Sequence, residues 1–178
     1  MAAFKRKGYF PNKQTYPTPV DLLEAVQKMY GTIVLDCAAD KTNHVCKTWL
    51  GPGGLKPDAL TVPWIVPKLS DKGLRWLNPP FAKIAPWATK CVLESGRNNL
   101  RIAMLVPATV THNWFWELVR PYAWTRILYP SKIPFKGMAN DLPGGFMLCL
   151  YGMGNIGHLD RWTWKQVRTQ RCLASPII

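Results

Sequence analysis

Short apolar runs alternate with segments of helical spacing along this sequence, and the alternation leaves few folds open to it. The apolar runs are rich in aliphatic and β-branched side chains and occupy residues 33–35, 74–77, 102–106 and 145–151. Apolar side chains recur three and four residues apart in residues 19–30, 85–95 and 114–119, as on one face of a helix. Parallel strands need long crossovers of this kind. The pattern therefore predicts an α/β fold around a sheet of mostly parallel strands.

The charge balance of the sequence indicates an anionic partner. The 178 residues include 23 Lys and Arg against 10 Asp and Glu, which gives a formal net charge of +13. Hydrophobic residues make up 48% of the chain, enough for a core, and this excludes a disordered basic tail, a coiled coil and a collagen-like chain. A compact basic protein most often binds nucleic acid and less often an anionic membrane surface.

Both ends of the sequence are basic. Residues 1–17 contain four Lys or Arg and no acid, which predicts a basic N-terminal arm. Residues 156–178 predict a basic C-terminal extension packed on the same domain. There is no secretory signal and no run near the roughly 18 apolar residues that a membrane span needs. We therefore expect a cytoplasmic protein without membrane association.

The cysteines do not predict a metal centre. The five cysteines are an odd number without a Cys-x-x-Cys pair, which is typical of reduced thiols in a cytosolic protein. Cys37, His44 and Cys46 lie close together in the sequence, but their spacing matches no common zinc pattern and no fourth ligand is evident. We therefore predict no metal site.

Two of the predicted strands end in polar tips. Asp36 follows residues 33–35, and Asn78-Pro79-Pro80-Phe81 follows residues 74–77. In open α/β sheets the ligand binds beyond the carboxyl ends of the strands, so both tips are candidate site residues. Each also has a purely structural interpretation. Asp36 could cap a loop, and residues 78–81 could form a rigid turn with a packed Phe.

The chemistry of residues 78–81 favours a site for an aromatic amine. Consecutive prolines fix φ and remove two N–H donors, so the turn is rigid and its carbonyls stay free to accept. The side-chain oxygen of Asn78 and the carbonyl of Pro79 can then accept both hydrogens of an exocyclic amine, beside the flat ring of Phe81. This arrangement suits a nucleobase lifted out of its duplex.

Several short motifs, in order along the chain, resemble one family. From residue 18 to residue 151 the sequence is similar to the phage-type, Dam-like DNA N-6-adenine methyltransferases, which use S-adenosylmethionine. The motifs that carry the resemblance are Thr18-Pro19, Leu35-Asp36-Cys37-Ala38-Ala39, Asp58-Ala59-Leu60 with Trp64, Trp76-Leu77-Asn78-Pro79-Pro80-Phe81, Met104-Leu105-Val106-Pro107-Ala108, Trp114-Phe115 and Ile133-Pro134-Phe135.

The resemblance implies a fold and a set of roles. The fold would be a Rossmann-like class I methyltransferase domain over residues 18–155, with a mixed seven-stranded sheet and helices on both faces. The cofactor S-adenosylmethionine would lie near Thr18-Pro19 with its carboxylate, near Asp36-Cys37-Ala38 with its methionine part, and near Asp58 with its ribose or adenine. Asn78 and Pro79 would polarise the N6 amine of an adenine flipped from double-stranded DNA, with Pro80 holding the turn and Phe81 stacking on the base.

The sequence also departs from the family in ways that keep other substrates open. Residues 36–39 stand where many adenine methyltransferases have a Phe-x-Gly-x-Gly loop, and Asn78 stands where many have Asp. Asn-Pro-Pro also occurs in methyltransferases that act on RNA bases and on protein glutamine. A non-catalytic basic DNA-binding protein is a further alternative. A metal-dependent nuclease is disfavoured because the ten acids are scattered singly.

Basic residues late in the sequence are the candidates for contact with DNA. The positive charge and the aromatic residues near it suit phosphates and unstacked bases. The candidates are Lys132, Lys136, Arg161, Trp162 and Lys165. The predicted activity is therefore site-specific methylation of adenine in DNA by a phage-type enzyme.

Overall fold

The computed structural model describes residues 16–70, 72–135 and 145–165. Most of the predicted N-terminal arm, Lys136 and residues 166–178 of the predicted C-terminal extension lie outside these residues. The helices and strands are, in chain order, α1 (Val20–Tyr30), β1 (Ile33–Asp36), β2 (Leu74–Leu77), a 3₁₀ turn (Phe81–Lys83), α2 (Ile84–Asn98), β3 (Arg101–Pro107), α3 (Asn113–Leu118), β4 (Ala123–Tyr129), β5 (Phe146–Tyr151) and β6 (Leu159–Thr163).

The strands form one mixed sheet in the order β1-β2-β3-β5-β4-β6. Strands β1, β2 and β3 are parallel neighbours, β5 is antiparallel to both β3 and β4, and β6 runs parallel to β4. The mixed α/β prediction is thus confirmed. The described residues form six strands, so the seventh strand that the resemblance implies is not among them.

Alternating side chains along the central strand β3 supply both faces of the core. Ala103 and Leu105 belong to the cluster that also contains Leu22 and Val26 of α1. Ile102, Met104 and Val106 belong to the cluster that contains residues of α2 and α3. A strand buried on both faces is a continuous apolar run rather than an alternating one, which is why residues 102–106 could be recognised in the sequence. Helices therefore cover both faces of the sheet.

The connection from β1 to β2, residues 37–73, contains no regular strand among its described residues. The sequence predicts a short strand near residues 46–50 and a strand edge at 58–62, and both predictions are wrong. In the first segment the structure has only an isolated bridge, between Asp36 and Trp49, and residues 58–62 form turns. Gly and Pro residues at positions 51–54 and 57 interrupt any ladder here.

Two helix boundaries differ from the sequence prediction. Helix α2 continues through Gly96 to Asn98, and Asn99 ends it in the left-handed conformation at φ 51°. The sequence predicts Thr18 as the N-cap of α1 and Pro19 as its first residue, but α1 begins at Val20 with Pro19 at the N-cap position, and no side chain caps the helix. The Thr18 hydroxyl accepts a hydrogen bond from Nδ2 of Asn78 at 3.2 Å.

The described part of the predicted C-terminal extension completes one edge of the sheet. Residues 159–163 form β6, whose Trp162 is buried against Tyr30 of α1 with ring centroids 5.4 Å apart. The indole N–H of Trp164 donates to the carbonyl of Pro130 at 3.0 Å. None of the described helices combines the length and the apolar character that crossing a membrane requires.

Candidate active site

The two polar tips lie at one edge of the sheet. Because β1, β2 and β3 run parallel, the segments after Asp36, Leu77 and Pro107 all emerge on the same side. The backbone N–H of Cys37 donates to the carbonyl of Trp76 at 2.8 Å, which joins the first tip to the second strand. The predicted neighbourhood of Asp36 and residues 78–81 is therefore present.

The amide of Asn78 is held in one orientation. Its Nδ2 donates to the carbonyl of Tyr16 at 2.9 Å and to Oγ1 of Thr18 at 3.2 Å. Its Oδ1 is buried, and no hydrogen-bond donor among the described residues reaches it. Buried acceptors are normally satisfied, so this amide oxygen is available to accept a hydrogen bond from a ligand.

A cavity of about 250 Å³ opens beside Asn78. We call it the edge cavity. Its walls come from three parts of the chain: the segment before α1, the connection between β1 and β2, and the residues after β2. The lining residues are Tyr16, Ala38, Ala39, Asp40, Asn43, Leu50, Gly51, Pro52, Pro57, Asp58, Ala59, Asn78, Pro80 and Trp87.

Gly51 closes one side of the edge cavity through a close backbone approach. Its φ is +130°, and a Cβ at this position would lie 1.9 Å from the carbonyl oxygen of Ala39. The N–H of Ala39 in turn donates to the carbonyl of Leu50 at 3.1 Å. Only glycine fits such a contact, so the Gly-rich stretch of the sequence has a defined role in shaping the cavity.

The edge cavity is acidic in a strongly basic protein. Its described lining includes the carboxylates of Asp40 and Asp58 and no Lys or Arg. Hydrogen bonds from the Thr42 side chain and backbone lower the pKa of Asp40, so this group is charged at neutral pH. The remaining walls are largely apolar or aromatic, with Leu50, Pro52 and Trp87 among them. The cavity therefore suits a ligand that combines positive charge with a flat ring.

Asp36 is buried and is not part of the edge-cavity lining, although Ala38 and Ala39 close to it in sequence are. Its Oδ2 accepts from the N–H of Val45 at 3.0 Å and its Oδ1 from the N–H of Ala38 at 3.3 Å. Burial raises the pKa of Asp36 to about 6, although these two N–H groups and His44 oppose the rise. Of the two interpretations that the sequence left open, the structure supplies the contacts of a loop cap.

The other residues predicted to bind the cofactor divide into two groups. Ala38 and Asp58 line the edge cavity, where Oδ1 of Asp58 also accepts from the N–H of Leu60 at 2.9 Å. Thr18 and Pro19 precede α1 outside the lining, and Cys37 is completely buried in the core.

Several lining residues were not identified in the sequence as site residues. Tyr16, Asn43, Leu50 and Trp87 reach the edge cavity from segments that no recognised motif includes. Asp40 also lines the cavity, four residues beyond Asp36 in the sequence. The signal available for it was its position four residues beyond a strand end.

Phe81 faces away from the edge cavity. Its ring is 9% exposed and packs on Phe135 and Phe146, with centroids 6.4 and 5.7 Å away. It also lines a second cavity of about 450 Å³. We call this the second cavity; its lining is Phe81, Ala82, Lys83, Ile84, Ala85, Pro86, Pro107, Thr109, His112 and Trp114. The turn at residues 78–81 thus contributes to both cavities.

The candidate DNA contacts occupy different surroundings. Trp162 is 6% exposed, and its burial argues against the predicted contact with DNA. Arg161 is exposed with its guanidinium 5.2 Å from the centre of the Tyr129 ring. Lys165 is exposed and pairs with Asp21 at 2.8 Å, and Lys132 is exposed near the end of β4. Lys136 lies outside the described residues.

The described residues contain no group of three or more His, Cys, Asp or Glu side chains that could hold a metal ion. His44 and Cys46 make contacts within their own loop. The ring of His44 stacks on Trp49 with centroids 4.2 Å apart, and the thiol of Cys46 donates to the carbonyl of Thr48 at 3.1 Å.

Comparison with known proteins agrees with the motifs at this edge. The family model described as DNA N-6-adenine-methyltransferase (Dam) matches residues 8–144. A DNA N-6-adenine-methyltransferase from Escherichia phage T1 is 29% identical over 105 residues, which are 59% of this chain. The matched part is 40% of the length of the phage T1 protein. Because the family model spans most of the chain and includes both polar tips, this chain belongs to the DNA N-6-adenine-methyltransferase (Dam) family.

Proposed function

We propose that this chain transfers a methyl group from S-adenosylmethionine to the exocyclic N6 amine of an adenine in double-stranded DNA. The observation that carries the proposal is the unpaired, buried Oδ1 of Asn78, a residue that follows β2 and lines the edge cavity. Membership of the Dam family and the name of the phage T1 relative support the choice of adenine.

The edge cavity has the chemistry that S-adenosylmethionine needs. The cofactor carries a sulfonium and an ammonium group against one carboxylate, so its net charge is positive. Asp40 and Asp58 would attract those cationic groups or accept from the ribose hydroxyls, and Trp87 and Leu50 offer apolar surface to the adenine ring. When bound, S-adenosylmethionine supplies an activated methyl group.

On the acceptor side, the chain positions the amine. Oδ1 of Asn78 and the carbonyl of Pro79 accept its two hydrogens and direct its nitrogen lone pair toward the edge cavity. The ring of Phe81 and the second cavity receive the base, which must leave the duplex for its amine to reach the Asn78 amide. The N–CH3 bond would form as the S–CH3 bond breaks, S-adenosylhomocysteine would leave, and the methylated amine would release one proton to solvent. No nucleophilic side chain is required, and positioning would supply most of the acceleration.

Basic side chains near the edge of the sheet at which β1, β2 and β3 end would contact the phosphates of the DNA. Arg161, Lys165 and Lys132 are exposed, and the chain has a formal net charge of +13. Such contacts fix the register of the duplex without reading its sequence. Lys136 is proposed as a further contact on the basis of the sequence alone.

The substrate class can be tested with labelled S-adenosylmethionine and three acceptors. We expect the wild-type chain to label double-stranded DNA, and Asn78→Ala to lose about 10²–10³-fold in rate while remaining folded. RNA and a glutamine-containing protein extract serve as competing acceptors. Label in RNA or protein alone would contradict the proposal, and DNA binding without label in any acceptor would favour a non-catalytic module.

A further inference from the structure

The geometry points to Thr18 as a positioning residue: its hydroxyl, with the carbonyl of Tyr16, holds the Asn78 amide so that Oδ1 faces the amine. This inference rests on the proposed function. It also replaces the role that the resemblance implies for Thr18, which is contact with the carboxylate of the cofactor.

The first step is the chemistry of the amide. The two ends of an Asn side chain have nearly the same shape, so packing alone does not decide which end faces the site. A backbone carbonyl only accepts, so the Tyr16 carbonyl at 2.9 Å requires the Nδ2 end. Oγ1 of Thr18, at 3.2 Å, takes the second N–H. With both hydrogens engaged on one side, the acceptor oxygen must point to the other.

The second step is the exclusion of water. Tyr16 is 6% exposed and Thr18 is 8% exposed, so both partners of Nδ2 are largely shielded from solvent. Loss of the Thr18 hydroxyl would leave one N–H of the amide without its partner, so one hydrogen bond instead of two would hold Oδ1 in the productive position.

The third step is the rigidity of the support. Thr18 directly precedes Pro19, whose carbonyl accepts the first helical hydrogen bond of α1 from Leu23 at 3.2 Å. Helix α1 is fixed to the sheet through Leu22 and Val26, both fully buried. A side chain on such an element holds its partner more closely than one on a free loop. Thr18 is also absent from the lining of the edge cavity, although Tyr16 belongs to it.

The test compares Thr18→Val, which keeps the shape and removes the hydroxyl, with Thr18→Ser, which keeps the hydroxyl. For Thr18→Val we expect kcat for methyl transfer to DNA to fall about tenfold, because one hydrogen bond to the amide is lost. The Kd for S-adenosylmethionine, measured by titration calorimetry, should stay within about twofold of wild type. Thr18→Ser should restore most of kcat.

Two outcomes would overturn the inference while wild type remains active. A Thr18→Val protein with weaker binding of S-adenosylmethionine and unchanged kcat would assign Thr18 to the cofactor. Equal kcat in Thr18→Val and wild type would show that the hydroxyl does not orient the amide. If wild type itself transfers no methyl group to DNA, the proposed function fails and this inference fails with it.

Asn78→Asp provides a second variant, which changes the amide itself rather than its partner. A carboxylate has no hydrogen to donate, so it would set an acceptor oxygen against the Tyr16 carbonyl. We expect kcat to fall at least tenfold, even though many adenine methyltransferases have Asp where this chain has Asn78. Wild-type kcat in a folded Asn78→Asp protein would contradict the orientation argument.

Discussion

Asp36 illustrates how one buried residue shapes the site without lining it. Its two carboxylate oxygens accept from the N–H groups of Ala38 and Val45, and its backbone bonds to Thr48 and Leu50. Ala38 and Leu50 in turn line the edge cavity. Asp36 therefore fixes the first loop of the cavity. A sequence cannot distinguish such a cap from a ligand contact, because both place a carboxylate after a strand.

The raised pKa of Asp36 makes a prediction about stability and pH. The pKa rises from 3.8 to about 6 in the folded chain, so the folded state keeps this proton where the unfolded state has lost it. The group therefore stabilises most below about pH 4, and its contribution declines as pH rises to 6. Relative to Asp36→Asn, we expect the free energy of unfolding of wild type to fall by about 2–3 kcal/mol from pH 4 to pH 7.

Urea denaturation of both proteins across this pH range checks the prediction. Other carboxyl groups titrate in the same range, but their contributions cancel in the difference between the two proteins. A difference that stays constant from pH 4 to pH 7 would show that Asp36 titrates at its ordinary pKa in the folded state.

Among the helices and strands, α2 supports the part of the edge-cavity wall that residues 58–59 form. The buried carboxylate of Glu94 accepts from the N–H of Trp64 at 3.1 Å and from the side chain of Asn98 at 2.8 Å, and it pairs with Lys90. The indole N–H of Trp64 donates to the carbonyl of Ala59 at 2.9 Å. Through these bonds α2 positions the segment that carries Asp58.

We predict that Glu94→Ala destabilises the fold by about 3 kcal/mol, because it leaves a buried N–H unpaired and removes the partner of Lys90. It should also weaken binding of S-adenosylmethionine, since the wall at residues 58–59 loses its anchor. Urea denaturation and titration calorimetry measure the two effects. Glu117→Ala, on the exposed side of α3, is the matched control and should change stability by less than about 0.5 kcal/mol. An equal effect of both substitutions would contradict the anchoring role.

Two adjacent residues of β6 are expected to have different roles: Trp162 packs in the core, and Arg161 is a proposed contact with DNA. Trp162→Ala should cost about 3–5 kcal/mol of stability, because its ring packs on Tyr30 in the core. Arg161→Ala should change stability by less than about 1 kcal/mol, yet lower DNA affinity and reduce the salt slope of binding by about one. Thermal denaturation and DNA titrations at several salt concentrations measure these effects. If Trp162→Ala kept native stability but lost DNA binding, Trp162 would be a DNA-contacting residue rather than a core residue.

The elements differ in how far the sequence could predict them. Strands β1, β2, β3 and β5 are recognisable because they are largely buried and mostly apolar, although β2 includes the buried Arg75. Strand β6 buries only Trp162 among its five residues, so it carries no such pattern. The amino-acid composition of β5 does not indicate that it runs antiparallel to β3 and β4. In the site, Asn78 was identifiable from its local motif, whereas its partner Tyr16 lies 62 residues away and meets it only in the folded chain.

The net charge of the whole molecule is opposite in sign to the charge of the edge cavity. The chain has a formal net charge of +13, yet the described lining of the edge cavity has two Asp and no Lys or Arg. Under the proposed function, the basic net charge would attract DNA, and the acidic cavity would favour a cationic cofactor over nucleotide phosphates.

The acidic lining of the edge cavity predicts that S-adenosylmethionine stabilises the folded chain against thermal unfolding. At a concentration 100-fold above its Kd, a ligand that binds only the folded state stabilises by about 2.7 kcal/mol, which corresponds to a rise in Tm of about 5–10 °C for a chain of this size. ATP should give a smaller rise, because its phosphates are repelled by Asp40 and Asp58. A larger shift with ATP than with S-adenosylmethionine would contradict the proposed cavity chemistry.

The most direct measurement is identification of the methylated nucleoside. Double-stranded DNA is incubated with S-adenosylmethionine and the wild-type chain or Asn78→Ala, digested to nucleosides and analysed by mass spectrometry. We predict N6-methyladenine as the product of wild type, and at least a hundredfold less from a folded Asn78→Ala protein. Methylcytosine, unmodified DNA from wild type, or equal N6-methyladenine from both proteins would contradict the account.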